Sequence, residues 1–199
     1  REPDPRSARR VTLADPKVEQ PSLQLAWLAP SYTTASKGEA EALEVLVQLI
    51  GASGTGRLHR KLVMEEAVAV AAGAWYQSSA IDRSRLLVYA VPRPGITLEA
   101  LEERVLAVLS DMASKPVEAA ELRRAKTRLI ADAIYAQDSQ SSLARMYGSA
   151  LATGSTVEDV KTWPDAIEAV DAQAVQQAAK TWLNRHRMVS GYLLKDEAA

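Results

Sequence analysis

Residues 51–62 read GASGTGRLHRKL, a stretch that joins two segments with helical patterns. Three of its first six residues are glycine, which predicts a loop or a sharply bent junction. A phosphate-binding loop of the Walker type ends in Gly-Lys-Ser/Thr, whereas here Arg57 and Leu58 follow Gly56. The stretch also follows a helix, where a phosphate loop follows a strand. We therefore favour a tight junction between two helices.

Apolar side chains on both sides of this junction recur at helical spacing. One helix is predicted from Ser36 or Lys37 to Gly51, and a shorter one over residues 57–64. Their predicted inward positions are Leu43, Leu46, Val47 and Ile50 in the first, and Leu58, Leu62 and Val63 in the second.

Five segments have the alternation or the β-branched and aromatic composition of strands. The clearest is Ser22–Ala29, SLQLAWLA, which places every second side chain on one apolar face. We expect residues 67–78 and 85–91 to pair as a hairpin. The five segments are residues 10–14, 22–29, 67–78, 85–91 and 188–194.

Five further helices are predicted between residues 97 and 183, each with a start signal. The signals are Thr97, Pro116, Asp138 or Ser139, Ser155-Thr156 followed by Glu158-Asp159, and Asp171. Strands and helices are thus segregated along the chain instead of alternating, which indicates an α+β fold. We predict one α+β domain over residues 10–199, preceded by a linker at residues 1–9.

Composition excludes several classes of function. The chain has 24 basic and 25 acidic side chains, a balance that argues against a nucleic-acid or anionic-membrane surface. It has no cysteine, so disulfides, thiol catalysis and thiolate metal sites are excluded. No apolar run approaches the ~20 residues that span a bilayer. The polar, proline-rich start REPDPR is not a signal peptide, and we interpret it as a linker or cut end of a longer protein.

The two histidines do not form a recognisable metal site. Neither His59 nor His186 lies in an H-x-x-E-H pattern, whose spacing puts two ligands on one helix face. We interpret His59 as a surface or capping residue and His186 as solvated. A Ser-His-Asp triad is spatial and stays open, although no G-x-S-x-G motif supports it. Two basic clusters are interpreted as solvated helix faces: Arg57, His59, Arg60 and Lys61, and Arg123, Arg124, Lys126 and Arg128.

Three segments together resemble one family in their order and spacing. They are GTGRLHRKL at residues 54–62, ELRRAK at residues 121–126, and VDAQAVQQAAKTWL at residues 170–183. They are similar to the C-terminal half of the pitrilysin/insulinase family of zinc peptidases, and the similarity extends over residues 23–194. The resemblance implies a mostly antiparallel sheet of about five to six strands packed against several helices.

The resemblance also implies a division of labour between two similar halves that clamp a peptide. One half carries H-x-x-E-H and binds zinc, whereas the other supplies an Arg and a Tyr, seven residues apart, to the substrate backbone. In this sequence those positions hold Val63 and Val70, which donate no hydrogen bond from their side chains. Neighbouring registers do not recover the pair. We predict that both valines pack, and that this half has lost its supporting role in catalysis.

These implications define the expected partners. We expect no cofactor in this chain, with zinc only if a separate H-x-x-E-H half is present. The expected partner is an N-terminal homologous half or a homologous partner chain, together with a peptide, and a homodimer is also compatible. No nucleic acid or membrane span is expected, and similarity to exported bacterial relatives suggests the periplasm. The alternative hypothesis is a scaffold or protein-interaction module derived from the peptidase fold.

Overall fold

The computed structural model describes residues 5–52 and 54–196. The first four residues of the predicted linker, Ser53 of the glycine-rich junction and the last three residues of the predicted domain lie outside the described residues. The strands are β1 Arg9–Asp15, β2 Ser22–Ala29, β3 Ala69–Tyr76, β4 Ser84–Pro92 and β5 Met188–Lys195. The helices are α1 Glu39–Ile50, α2 Leu98–Ser114, α3 Ala119–Ala136, α4 Gln140–Ala152, α5 Val157–Glu168 and α6 Ala172–Trp182, with a π-helix at His59–Glu65 and a 3₁₀ turn at Arg185–Arg187.

The five strands form one sheet in the order β1-β5-β2-β4-β3. β1 runs parallel to β5, with Val11 opposite Gly191, and the other three pairs are antiparallel. The predicted hairpin is β3–β4. The α+β class with a mostly antiparallel sheet is therefore confirmed.

The helices cover one face of this sheet. In β2 the side chains of Leu23, Leu25, Trp27 and Ala29 are buried, whereas the residues between them are partly or largely exposed. β4 and β5 show the same alternation. The core therefore lies between one sheet face and the helices, and the period of two in β2 predicted its direction.

The glycine-rich junction closes against the outer edge of β3. The Gly51 carbonyl accepts the Ala74 N–H at 3.0 Å. A Cβ atom on Gly51 would lie 3.0 Å from the Gly73 Cα, and one on Gly56 would lie 2.5 Å from the Gly51 Cα. The tight junction between two helices is therefore confirmed, because backbone segments approach each other where side chains do not fit.

Helix caps follow the predicted signals. Thr97, Ser139 and Asp171 each accept a backbone N–H from the first turn of their helix. Thr156 and Asp159 form a reciprocal capping box at the start of α5. These contacts satisfy orphan N–H groups locally, which is why sequence alone located the helix starts.

The interpretation of the basic clusters as solvated faces is wrong at two positions. The Arg57 side chain is only 15% exposed and pairs with Glu121 at 2.7 Å. Lys126 is buried, and its Nζ donates to the Glu168 and Val170 carbonyls. Long charged side chains can be buried when tertiary partners satisfy them, and a local charge pattern does not show such partners.

Candidate functional site

The two valines at the expected substrate positions lie in different environments. Val63 lies in the π-helix and packs, partly buried, against the core. Val70 lies on β3 and is 43% exposed, so the expectation that both valines pack holds for Val63 and is wrong for Val70. The ladder with β4 shifts register between Ala69 and Ala71, and such a bulge redirects the side chain of the extra residue.

The backbone between these valines adopts two uncommon conformations. A seven-residue π-helix occupies His59–Glu65, and π-helical segments are frequent at functional sites. Ala67 has φ 52°, a left-handed conformation that costs a non-glycine residue about 1–2 kcal/mol. Leu58 and Leu62, both fully buried, anchor this segment. Tertiary packing therefore holds it against its local preference.

Two residues of the family-like motifs bind each other. The Arg57 guanidinium donates from Nε and Nη2 to the two Glu121 carboxylate oxygens at 2.9 and 2.7 Å. It also contacts Asp111 at 3.2 Å. The hydrogen bond to Glu121 raises the pKa of Arg57, and the same bond lowers the pKa of Glu121. This paired contact ties the segment before the π-helix to α3.

Lys126, in the second of these motifs, binds the end of α5. Its Nζ donates to the Val170 carbonyl at 3.2 Å and to the Glu168 carbonyl. These carbonyls lie at the helix C-terminus, where orphan acceptors and the helix dipole favour a cation. The residues that carry the sequence resemblance thus include structural ties between helices.

The sheet face opposite the helices exposes apolar side chains. Val11 and Leu13 of β1 are each 60% exposed, and Tyr89 of β4 is 40% exposed. The Arg85 guanidinium lies 5.0 Å from the ring centroid of Trp75, which is 36% exposed. Exposed apolar side chains on one sheet face are typical of an interaction site.

A buried carboxylate connects α2 to β5 and β1. Glu102 is 3% exposed and accepts hydrogen bonds from Ser190 at 2.6 Å, Tyr192 at 2.5 Å and Arg10 at 2.7 Å. Burial by itself raises the pKa of Glu102, but the bonds from Ser190 and Tyr192 and the charge of Arg10 outweigh it, so the pKa lies below its ordinary value. The Arg10 guanidinium also lies 4.5 Å from the Tyr192 ring centroid.

A second carboxyl group, Glu44 on α1, faces a cavity of about 810 Å³ between α1, α4 and α5. Its Oε2 accepts from the Tyr32 hydroxyl at 2.9 Å and the Trp163 Nε1 at 2.8 Å. Burial raises the pKa of Glu44 and outweighs these bonds and one from Ser78. No sequence signal singled out Glu44, because its partners are distant in the chain.

Neither histidine is placed as a metal ligand. His59 is partly buried at the start of the π-helix, and His186 is exposed in the 3₁₀ turn. Within residues 5–52 and 54–196, no group of three or more His, Asp or Glu side chains is arranged to hold a metal ion. In the same part of the chain, no helix is both long and apolar enough to cross a membrane.

Solved structures share this fold. A protease from Helicobacter pylori has TM-score 0.88 and 21% identity, over 96% of this chain and 45% of that one. The inactive peptidase domain of a proposed zinc protease from Bordetella parapertussis has TM-score 0.79 and 20% identity, over 90% of this chain and 94% of that one. A peptidase M16 inactive domain from Pseudomonas fluorescens has TM-score 0.80 and 16% identity, over 98% of this chain and 45% of that one. A comparison with curated protein sequences gives no match.

These likenesses show that the chain has the same α+β fold as these structures. The family model described as the peptidase M16 inactive domain matches residues 1–129, and the chain belongs to this family. The resemblance to the C-terminal half of pitrilysin-type peptidases is thereby confirmed. The chain spans less than half the length of the Helicobacter pylori protease that it matches.

Proposed function

We propose that this chain is the non-catalytic half of a zinc-peptidase-like protein, which packs on a zinc-bearing half and encloses a peptide with it. The observation that carries this proposal is the sheet face that no helix covers within residues 5–52 and 54–196, with exposed Val11, Leu13 and Tyr89. Exposed apolar patches rimmed by polar groups mark interaction surfaces, and a second domain would bury this one. Family membership supports the proposal, because its members include such inactive domains.

The valine pair sets the expected chemistry of the assembly. Val63 and Val70 offer no side-chain hydrogen bond to a peptide backbone or to a developing oxyanion. Loss of one such donor typically lowers the rate by about 10²–10³-fold. We therefore infer a clamp that binds a peptide and supports its cleavage poorly.

The alternative proposal is a scaffold or interaction module. The loss of both donors favours it, because binding through an apolar face does not depend on them. The two proposals differ in whether a peptide is enclosed once the second half is bound.

Binding to a zinc-bearing half tests the proposal directly. We expect Leu13→Glu to abolish association with a purified H-x-x-E-H half of this family, because a charge would be buried at the interface. Isothermal titration calorimetry measures the affinity. Ile81→Glu is the matched control, since Ile81 is 74% exposed in the loop before β4 and outside this sheet face. Equal affinities for the two variants, or no association of the unaltered chain, would overturn the proposed packing.

Metal analysis and peptide digestion complete the test. The chain alone should retain no stoichiometric zinc after dialysis and cleave no peptide. In the mixture, Val63→Arg with Val70→Tyr should increase cleavage. No increase in a mixture that binds normally would contradict the placement of these two positions, and bound peptide without cleavage would separate the clamp from the scaffold.

A further inference from the structure

The cavity beside Glu44 has the size and lining of a small-molecule site. Its volume, about 810 Å³, lies in the range of about 300–1,000 Å³ typical of ligand pockets. Tyr32, Tyr147 and Trp163 contribute aromatic rings to its lining. Leu143 and Met146 of α4 add aliphatic surface. One part of the lining is thus apolar, and another carries a carboxyl group.

Three carboxyl groups line the cavity, those of Glu41, Glu44 and Asp159. Burial raises the pKa of Tyr32 and of Tyr76. The charges of Glu44 and Glu41 raise both pKa values further, and Glu39 adds to the effect at Tyr76. Lys37 and Lys161 also line the cavity, but both are exposed to water. Their charges are consequently better screened than that of the partly buried Glu44.

The Glu44 carboxylate has acceptor capacity for a ligand. An ionised carboxylate has about four lone-pair sites, and Tyr32, Trp163 and Ser78 occupy three of them with neutral donors. These neutral donors do not offset the burial that raises the pKa of Glu44, whereas a cation would stabilise the ionised form and gain a charge-assisted hydrogen bond.

We propose that this cavity binds an organic cation, an ammonium or guanidinium group on an apolar stem, with the charge at Glu44 and the stem against Leu143 and Met146. Lysine and arginine side chains and free alkyl amines share this chemistry. The site lies on α1, α4 and α5, and the inference does not depend on the proposed peptidase half.

The indole N–H of Trp163 provides a direct readout, because Glu44 Oε2 and the Tyr32 hydroxyl share it, each at 2.8 Å. The chain has four tryptophans, and the loss of one indole resonance in Trp163→Phe identifies this signal in a ¹⁵N spectrum. The probes are Nα-acetyl-lysine methylamide and Nα-acetyl-norleucine methylamide, which share the aliphatic stem and differ in the ammonium group. We expect the lysine probe to shift the Trp163 signal saturably, with about tenfold or more higher affinity than the norleucine probe.

Variants separate the site from non-specific attraction. Glu44→Gln should reduce the affinity for the lysine probe about tenfold, while Glu65→Gln, at an exposed glutamate of the π-helix, should leave it unchanged. Agmatine, a free alkyl cation, distinguishes the sources: binding as tight as the lysine probe indicates a free amine, and weaker binding indicates a side chain of a polypeptide.

Two results would overturn the inference. One is equal affinity for the lysine and norleucine probes, which needs no variant and so holds even if Glu44→Gln does not fold. The other is a lysine-probe affinity that is unchanged in a folded Glu44→Gln.

Discussion

Glu102 on α2 and Glu44 on α1 show opposite outcomes for a glutamate removed from water. Both accept hydrogen bonds from tyrosine hydroxyls, and burial disfavours the charged form of both. At Glu102 the hydrogen bonds from Ser190 and Tyr192, with the charge of Arg10 2.7 Å away, hold the pKa below its ordinary value. At Glu44 the donors are neutral, Glu41 adds a like charge, and the pKa rises. The difference indicates that hydrogen bonds and a nearby cation together outweigh burial at Glu102, whereas neutral donors alone do not outweigh it at Glu44.

The largest effect is expected from Glu102→Gln. The amide removes the carboxylate that pairs with the Arg10 guanidinium. Its NH₂ group is itself a donor and would face the three donors Arg10, Ser190 and Tyr192. Loss of a buried carboxylate that accepts three hydrogen bonds, with an unpaired amide donor in its place, costs about 3 kcal/mol, which urea unfolding at neutral pH measures. Glu103→Gln is the control, because Glu103 is exposed and its pair with Arg185 should contribute no more than about 1 kcal/mol. A similar loss in both variants would mean that the Glu102 cluster adds no stability beyond that of a surface pair.

A smaller effect is expected from Arg10→Leu. This variant leaves Glu102 with neutral hydrogen-bond donors only, as at Glu44. We expect a loss of about 1 kcal/mol at neutral pH, since Arg10 is half exposed. Because the folded pKa of Glu102 is depressed, its contribution is present above the ordinary value of 4.5 and is lost as pH falls through the folded pKa. Arg10→Leu should flatten that acid limb, measured by unfolding between about pH 5 and about pH 3.

Arg9→Leu is the control for this change, because Arg9 is the exposed neighbouring arginine of β1. An acid limb as steep in Arg10→Leu as in Arg9→Leu would contradict the role of Arg10 as the counter-charge.

The smallest effect is expected from Glu44→Gln, within about 1 kcal/mol at neutral pH. The folded pKa of Glu44 is raised, so its proton-linked stability is present below 4.5 and is lost as pH rises through the folded pKa. The unaltered chain should therefore lose stability relative to the variant from acidic toward neutral pH. The free energy of unfolding, measured along this pH range, tests the sign of this change. A variant that instead loses stability relative to the unaltered chain would contradict the raised pKa of Glu44.

Sequence patterns located the elements whose signals are local. The caps at Thr97, Ser139 and Asp171, and the alternation in β2, depend on residues within one turn or one strand. The β3–β4 hairpin was also predicted, because its two strands are neighbours in the chain. Such signals are readable since the interacting groups are adjacent in sequence.

The polar clusters could not be predicted in this way. Glu102 and Tyr192 are 90 residues apart, and Trp163 and Glu44 are 119 residues apart. The charge runs that contain Arg57 and Lys126 look like solvated helix faces, which predicts exposed side chains. In the structure both side chains bind distant partners, Glu121 and the Val170 carbonyl, and are largely buried. The left-handed Ala67 likewise has no local signal, since alanine ordinarily avoids that conformation.

The sequence by itself determined the α+β class, the family, and the absence of side-chain hydrogen-bond donors at Val63 and Val70, because residue identity and spacing are sufficient for each of these conclusions. Only the tertiary structure decided that Val63 packs while Val70 is exposed at a bulge, and that the described helices leave one sheet face uncovered. It also decided the opposite behaviour of Glu102 and Glu44. The physical reason is that burial and counter-charge depend on which distant segments meet, and the chain's local pattern does not contain that information.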